Sequence, residues 1–415
     1  MMADLLFLTQ RIPYPPIKGE KIRPLQILRH LRQSYDVHLG CLIDEPGDFQ
    51  YVDTIRALCK SAYFAKLDLR LAKLFCLRGL LTGEALSATF FKDRGLAIWV
   101  DRVLNEVRPE AIFVCSSNMA PYVLDHDRRG EVRLVDLADV DSEKWRAYTG
   151  VSGFPMRWVY DREWRQVAAL ERRIADQFDW STFVSAEEAK LFAGLVPDKA
   201  DKIRAVSSGV DHVYFNPAQS HAPLFDTDRP NFVFTGTMDY PPNADAVIWF
   251  AEAILPLIRQ TLPQARFHIV GSNPAPSVQR LAGIAGVAVT GRVPDVRPYL
   301  AHATAAVAPM RIARGIQNKV LEAMAMAKPV IVTPEALEGI DARPGAEVVL
   351  AASAPDFAAA AVRLASTAEG QAIGDNARRR VVAEYVWAER LRGFDALLRP
   401  AEAKPEPEPV RARQA

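Results

Sequence analysis

The chain predicts an α/β protein built from two doubly wound domains. Three observations carry that expectation. Short apolar runs alternate with amphipathic helical patterns; the whole series occurs twice; and 415 residues exceed what one hydrophobic core usually supports. In the first half the strand-like runs are DLLFLT (4–9), DVHLGCLI (36–43), EAIFVCS (110–116), RLVDLAD (133–139) and STFVS (181–185). They are close to continuously apolar, the pattern of parallel strands covered on both faces. The second half repeats it with NFVFTG (231–236), RFHIVG (266–271), VAVTG (287–291), TAAVAP (304–309) and PVIVT (329–333). Between the halves, a glycine- and proline-containing stretch without periodicity places the junction near 212–230. The expected division is 1–211 and 212–380, a C-terminal helix over 381–399 packing back on the first domain, and a proline-rich, charged, disordered tail over 400–415.

Composition narrows the function classes. With 49% hydrophobic and 24% charged residues the chain is an ordinary globular protein, and a net charge of +1 gives no support for nucleic-acid binding. The four cysteines, Cys41, Cys59, Cys76 and Cys115, lack metal-like spacing and read as reduced structural thiols. The N-terminus has too short an apolar run for a signal peptide, and no run reaches the ~20 apolar residues of a membrane span. A cytoplasmic protein is expected. The amphipathic stretch 68–81, with Arg70, Lys73, Phe75 and Arg78, reads as a surface helix and leaves peripheral contact with the inner face of a membrane open.

In doubly wound sheets ligands sit outside the carboxyl ends of strands, so the loops after strands carry the chemistry. No G-x-G fingerprint and no G-x-x-x-x-G-K-S/T loop occurs, which argues against a nicotinamide dehydrogenase and a P-loop nucleotidase. After the first run, Gly19 precedes a helix bearing Lys21 and Arg23, a set that suits either an anion or plain solvated charge. Asp139 and Asp141 follow another run; their spacing is compatible with a cation on a diphosphate, an acceptor or catalytic role, or helix capping. Gly236 and Thr237 stand ready to line a cleft, with Asn243 as a helix cap nearby, and Gly291 and Arg292 offer groups to a nucleobase edge.

The richest segment is PMRIARGIQNKVLEAM, a strand followed by a glycine turn and a helix. With the helix starting near Gly315, Ile316, Val320, Ala323 and Ala327 face the sheet, and Lys319 and Glu322 share the other side. Backbone N–H groups at a helix start favour phosphate, Arg311 and Arg314 add positive charge, and a carboxylate one turn on suits a ribose. The alternative is a solvated Lys/Glu pair. The segment reads as a sugar-nucleotide site.

Gly315, Lys319, Leu321, Glu322, Ala323 and the PV at 329–330 resemble the donor signature of glycosyltransferase family 4, retaining enzymes of the GT-B fold. SSGVDHVYF is similar to that family's domain junction, with Ser208 in place of asparagine, and FTGTMDYPPNADA, IVGSNP, VTGRVPDVRPYL and the helix around Trp387 extend the likeness. PYPPIKGEKIRP with VDSEKW resembles the branch associated with PEP-CTERM/exosortase exopolysaccharide systems. The resemblance implies two Rossmann-like domains facing a cleft. A nucleoside-diphosphate sugar would be bound by Gly19, Gly236, Thr237, Arg292, Arg314, Gly315, Ile316, Asn318, Lys319, Val320 and Glu322, with Lys319, Asp139 and Arg311 nearest the chemistry. Glu322 would hold the ribose, and N–H groups around Asn318 to Val320 the diphosphate, with no cofactor and no metal. The acceptor would be a lipid-linked or polysaccharide hydroxyl. Two positions depart from the pattern: Arg314 stands where many members carry a glutamate, and Thr237 where an arginine would be. An epimerase or hydrolase on the same scaffold, and a non-catalytic subunit of a polysaccharide assembly complex, are the alternatives.

Overall fold

A computed structural model describes residues 2–16, 19–77, 79–151, 153–313 and 315–399, with backbone alone at Leu81 and Val151. The proline-rich run 400–415 lies outside these residues. The first domain is a parallel sheet of β1 (Ala3–Thr9), β2 (Tyr35–Ile43), β3 (Ser61–Lys66), β4 (Ala111–Cys115), β5 (Val132–Ala138), β6 (Trp180–Phe183) and β7 (Ile203–Ala205), in the order β3-β2-β1-β4-β5-β6-β7. Period-two geometry divides its side chains between two cores: Leu6 and Leu8 enter one, Leu5 and Phe7 the other.

The second sheet comprises β8 (Asn231–Thr235), β9 (Arg266–Val270), β10 (Val287–Gly291), β11 (Ala305–Ala308), β12 (Val330–Val332) and β13 (Val349–Leu350), ordered β10-β9-β8-β11-β12-β13. All strand pairs of both sheets are parallel. In each, the first strand is central and the chain winds to one edge before returning to the other side. The switch points therefore lie between β1 and β4 and between β8 and β11, where such sheets open a crevice.

The chain crosses back to the first domain at its end. Helix Glu369–Glu384 packs on the second domain, the backbone breaks at Tyr385 and Val386, and helix Trp387–Leu397 lays Trp387, Leu391 and Phe394 into the first domain's core. The run from 381 is thus two helices with a break. Phe394 meets Phe113 of β4 edge-on at 4.9 Å, and Asp395 pairs with His30 at 2.7 Å. At the crossing, Val210 bridges to Val386, and a Cβ on Gly209 would stand 2.7 Å from the Tyr385 carbonyl oxygen. Only glycine admits that approach, which explains the glycine of SSGVD.

No helix among the described residues is long and apolar enough to cross a membrane.

Candidate active site

A cavity of ≈ 500 Å³ opens at the switch point of the first sheet, lined by Thr9 and Gln10 after β1, Cys115 and Ser116 at the end of β4, and Leu137 to Asp139 at the end of β5. Gly315, Ile316 and Asn318 of the second domain close its other wall. Two non-glycine residues beside it hold left-handed backbone, Ser116 with φ 79° and Ala138 with φ 67°. Such conformations cost of order 1–3 kcal/mol and persist where the surroundings impose them. The turn at Ala138 brings the Asp139 N–H onto the Leu137 carbonyl at 2.9 Å and swings the Asp139 side chain into the cleft.

Asp139 is the focus of the first domain's wall. Its Oδ1 is buried without a hydrogen-bond partner, and a Cβ on Gly315 would lie 2.9 Å from that atom. Gly315 itself has φ 63°, so both its backbone and its neighbour require glycine. Burial, with Glu188 and Asp141 adding repulsion, pushes the Asp139 carboxyl up to about 6. Glu188 anchors the turn by accepting the Val140 N–H at 2.8 Å. Asp141, raised by burial, starts helix Asp141–Val151 and accepts from Ser117 Oγ at 3.1 Å. Behind it, burial pushes Glu171 up to about 8, although Ser142 donates to it.

The cations Lys21 and Arg23 of the first helix are engaged by carboxylates, although Arg23 also lines the cavity. Lys21 is buried in an ion pair with Asp48. Arg23 is buried and bidentate on Asp136, Nε at 2.7 Å and Nη2 at 2.8 Å, and also donates to the Val206 carbonyl at 2.7 Å and Ser208 Oγ at 3.3 Å. Lys21 thereby fastens the Gly19–Leu31 helix to the short helix Pro46–Tyr51, and Arg23 fastens it to β5 and the interdomain segment. Gly19, at that helix's start, faces Asn318 across the cleft, where a Cβ would reach Asn318 Nδ2 at 3.6 Å.

On the second wall the helix starts at Asn318 and ends at Ala325, later and shorter than the spacing implies, because Gly315 to Gln317 form the turn. Val320, Leu321 and Ala323 are fully buried, while Ile316 is half-buried at the cavity edge and Ala327 lies beyond the helix. Lys319 Nζ donates to Gln317 Oε1 at 3.0 Å and lies 5.2 Å from the Phe234 ring of β8. Burial lowers Lys319 to about 8, partly offset by Glu322, and raises Glu322 to about 7, opposed by Lys319. Both side chains are half-buried and stand outside the lining of the cavity, on the helix that Asn318 begins, and a bound anion would favour the charged lysine.

The remaining expected ligands are distributed unevenly. Gly19, Asp139, Gly315, Ile316 and Asn318 share the cavity. Gly236 and Thr237 follow β8, where the Asn243 amide donates to the Thr237 carbonyl at 3.0 Å and the Gly236 carbonyl lies against Gly271, which has no room for a Cβ. Arg292 is exposed. Arg311 is exposed too and engaged by Asp245 through its Nε at 3.0 Å, outside the cavity. Arg314 lies outside the described residues. Sequence reasoning missed Ser116, Lys144 and Trp145, which also line the cavity. The position of Ser116 after β4 was the available signal.

Residues 229–367 match the family of glycosyl transferases group 1. That span holds the β8 loop and the whole Gly315–Glu322 segment. No curated protein matches the chain in sequence. Among solved structures, the chain is similar to sucrose-phosphate synthase from Thermosynechococcus elongatus (17% identity, TM-score 0.69, 95% of this chain and 98% of that one). Anabaena HepE in complex with UDP and glucose superposes with TM-score 0.65 at 12% identity, over 95% of this chain and 99% of that one. WaaG, a glycosyltransferase involved in lipopolysaccharide biosynthesis, does so with TM-score 0.65 at 15% identity, over 95% and 99%. The fold is GT-B: two Rossmann-like domains around a cleft.

Proposed function

We propose that this protein is a retaining glycosyltransferase that moves a sugar from a nucleoside diphosphate to a lipid-linked or polysaccharide hydroxyl, in exopolysaccharide or cell-surface glycan synthesis. The observation that carries the reading is the apposition of Gly315 and Asp139. It sets the start of the Asn318–Ala325 helix, inside the span similar to group 1 glycosyl transferases, opposite an unpartnered buried carboxyl oxygen. The HepE structures contain UDP and glucose or UDP-glucose, which supports a donor of that class for this chain.

In this reading the N–H groups from Asn318 to Val320 and the Lys319 ammonium bind the diphosphate and stabilise it as it departs. Glu322 accepts from the ribose hydroxyls. Asp139, with its free Oδ1, accepts from a hydroxyl of the transferred sugar or the acceptor. Closure of the cleft over Gly19 and Asn318 limits hydrolysis. The test is transfer of label from a panel of nucleotide sugars to membrane extracts, with the anomeric configuration of the product read by NMR. Lys319→Ala is expected to lower kcat strongly at saturating donor; wild-type kcat would remove Lys319 from the chemistry. Arg314, standing where a donor-sugar carboxylate is expected, favours a second reading as a non-catalytic subunit, which predicts no turnover with any donor. Nucleotide release without an acceptor would indicate a hydrolase instead.

A further inference from the structure

We propose that the surface formed by helix Leu69–Cys76, Leu77 and the start of helix Met156–Gln177 docks on an anionic lipid bilayer, holding the cleft over a lipid-linked acceptor. The delivery of acceptor rests on the transferase reading; the docking does not.

A surface helix normally turns its apolar stripe toward the protein. Helix Leu69–Cys76 does the reverse. Ala72 is its one buried residue and Cys76 is half-buried, so at about 100° per residue these two form the inner stripe. Leu74, 66% exposed, stands opposite that stripe, Leu71 lies about 120° from it and Phe75 at its edge, and both are exposed as well. Leu69, at the helix start beside Cys76, and Leu77, just past the helix, are also exposed.

A second exposed apolar segment leads into helix Met156–Gln177. Phe154 is 91% exposed, and Met156 and Trp158 follow it into the helix. One turn beyond Trp158, Arg162 donates to the carbonyls of Gly79 and Glu84, the latter at 2.9 Å. Glu163 then accepts from the Leu86 and Ser87 N–H groups at 2.8 and 2.7 Å. These bonds fasten helix Met156–Gln177 to the 79–87 stretch that follows the first segment. Isolated exposed apolar residues are normal, whereas two clusters of them on elements fastened through the 79–87 stretch point to an interaction surface.

Charge decides the occupant. Lys66, Arg70, Lys73 and Arg157 are exposed among these apolar residues. Asp68, the acid between them, is held by the N–H groups of Arg70 and Leu71 as the helix cap. Cations interleaved with leucines and edged by tryptophan compose a helix that lies in a bilayer interface. The same segment runs into the site, since Ser87 and Phe91 line the cavity.

The test is cosedimentation of the full chain with vesicles of phosphatidylglycerol and phosphatidylcholine in equal parts, and of phosphatidylcholine alone. The expected result is sedimentation with the anionic vesicles and little with the neutral ones. Leu74→Glu/Phe75→Glu and, separately, Phe154→Glu/Trp158→Glu should each lower the partition coefficient about tenfold or more. Melting temperatures should stay at the wild-type value, because these side chains are exposed. No sedimentation with either vesicle overturns the proposal, as does equal sedimentation with both. Dimers that light scattering detects and the same variants abolish, without vesicle binding, also overturn it by assigning the surface to a second copy. Donor binding is followed on the same proteins in solution. A protein that sediments yet binds no nucleotide sugar keeps the docking and loses the transferase reading; one that binds donor and never sediments loses the docking alone.

Discussion

Arg23→Met removes the cation that ties three parts of the first domain together. The native guanidinium satisfies both oxygens of Asp136 and the Val206 carbonyl, and reaches Ser208, all in the buried interior. Without it, Asp136 keeps one side-chain bond, from Thr182 Oγ1 at 2.9 Å, and becomes a buried, uncompensated carboxylate. Breaking such a pair costs about 3–5 kcal/mol, whereas replacing both partners by apolar groups is near neutral. At about 2–4 °C per kcal/mol for a domain of this size, the melting temperature should fall by roughly 6–20 °C. Intrinsic-fluorescence melting and urea titration read this directly. Arg23→Met/Asp136→Leu should recover most of the loss, giving a large coupling energy in the double-mutant cycle. A single variant melting within about 2 °C of wild type would refute the structural assignment and return Arg23 to the cleft as an anion ligand.

Three further outcomes are expected. Gly315→Ala meets both a φ of 63° and the Asp139 Oδ1 contact, so it should lose about 1–2 kcal/mol and most activity, with less loss of stability in an Asp139→Ala background; equal losses in both backgrounds would deny the contact. Glu171 has a folded value of about 8 against 4.5, so the folded state holds its proton more tightly and this group's contribution is full below about 4.5 and lost as pH rises toward about 8. Glu171→Gln should therefore gain melting temperature over wild type between pH 5 and pH 8, and a difference independent of pH would contradict that burial. Lys319, lowered to about 8, should lose donor affinity as pH passes that value, whereas Lys319→Arg should hold it; parallel curves by calorimetry would exclude the ammonium from the diphosphate site.

Ten of the strands were legible because each lies in an apolar run, largely buried in all but β10. The edge strands β3, β7 and β13 were not: SAYFAK is half-buried and mixed, and the other two have three and two residues. On the site side, the rule that ligands lie after strands found Gly19, Asp139 and the Gly315–Asn318 turn. The same rule could not foresee that Lys21 and Arg23 are buried in ion pairs. On an amphipathic helix a charge looks solvated, and the partner that buries Arg23 lies 113 positions away in sequence. Arg311 illustrates the converse, since its partner Asp245 sits on a helix of the same domain and draws it out of the cleft. Trp145 joins the cavity through tertiary packing, whereas the place of Ser116 directly after β4 carried a signal that went unread.

The central claim is that a nucleoside-diphosphate sugar binds where the Asn318–Ala325 helix begins. Thermal-shift titration with a panel of uracil, guanine and adenine nucleoside diphosphates and their sugars tests it most directly, run on wild type beside Glu322→Ala and Lys319→Ala. At least one nucleotide sugar should raise the wild-type melting temperature in a saturable manner, with the shift strongly reduced in both variants. A panel without any shift, or shifts of equal size in all three proteins, would contradict the account.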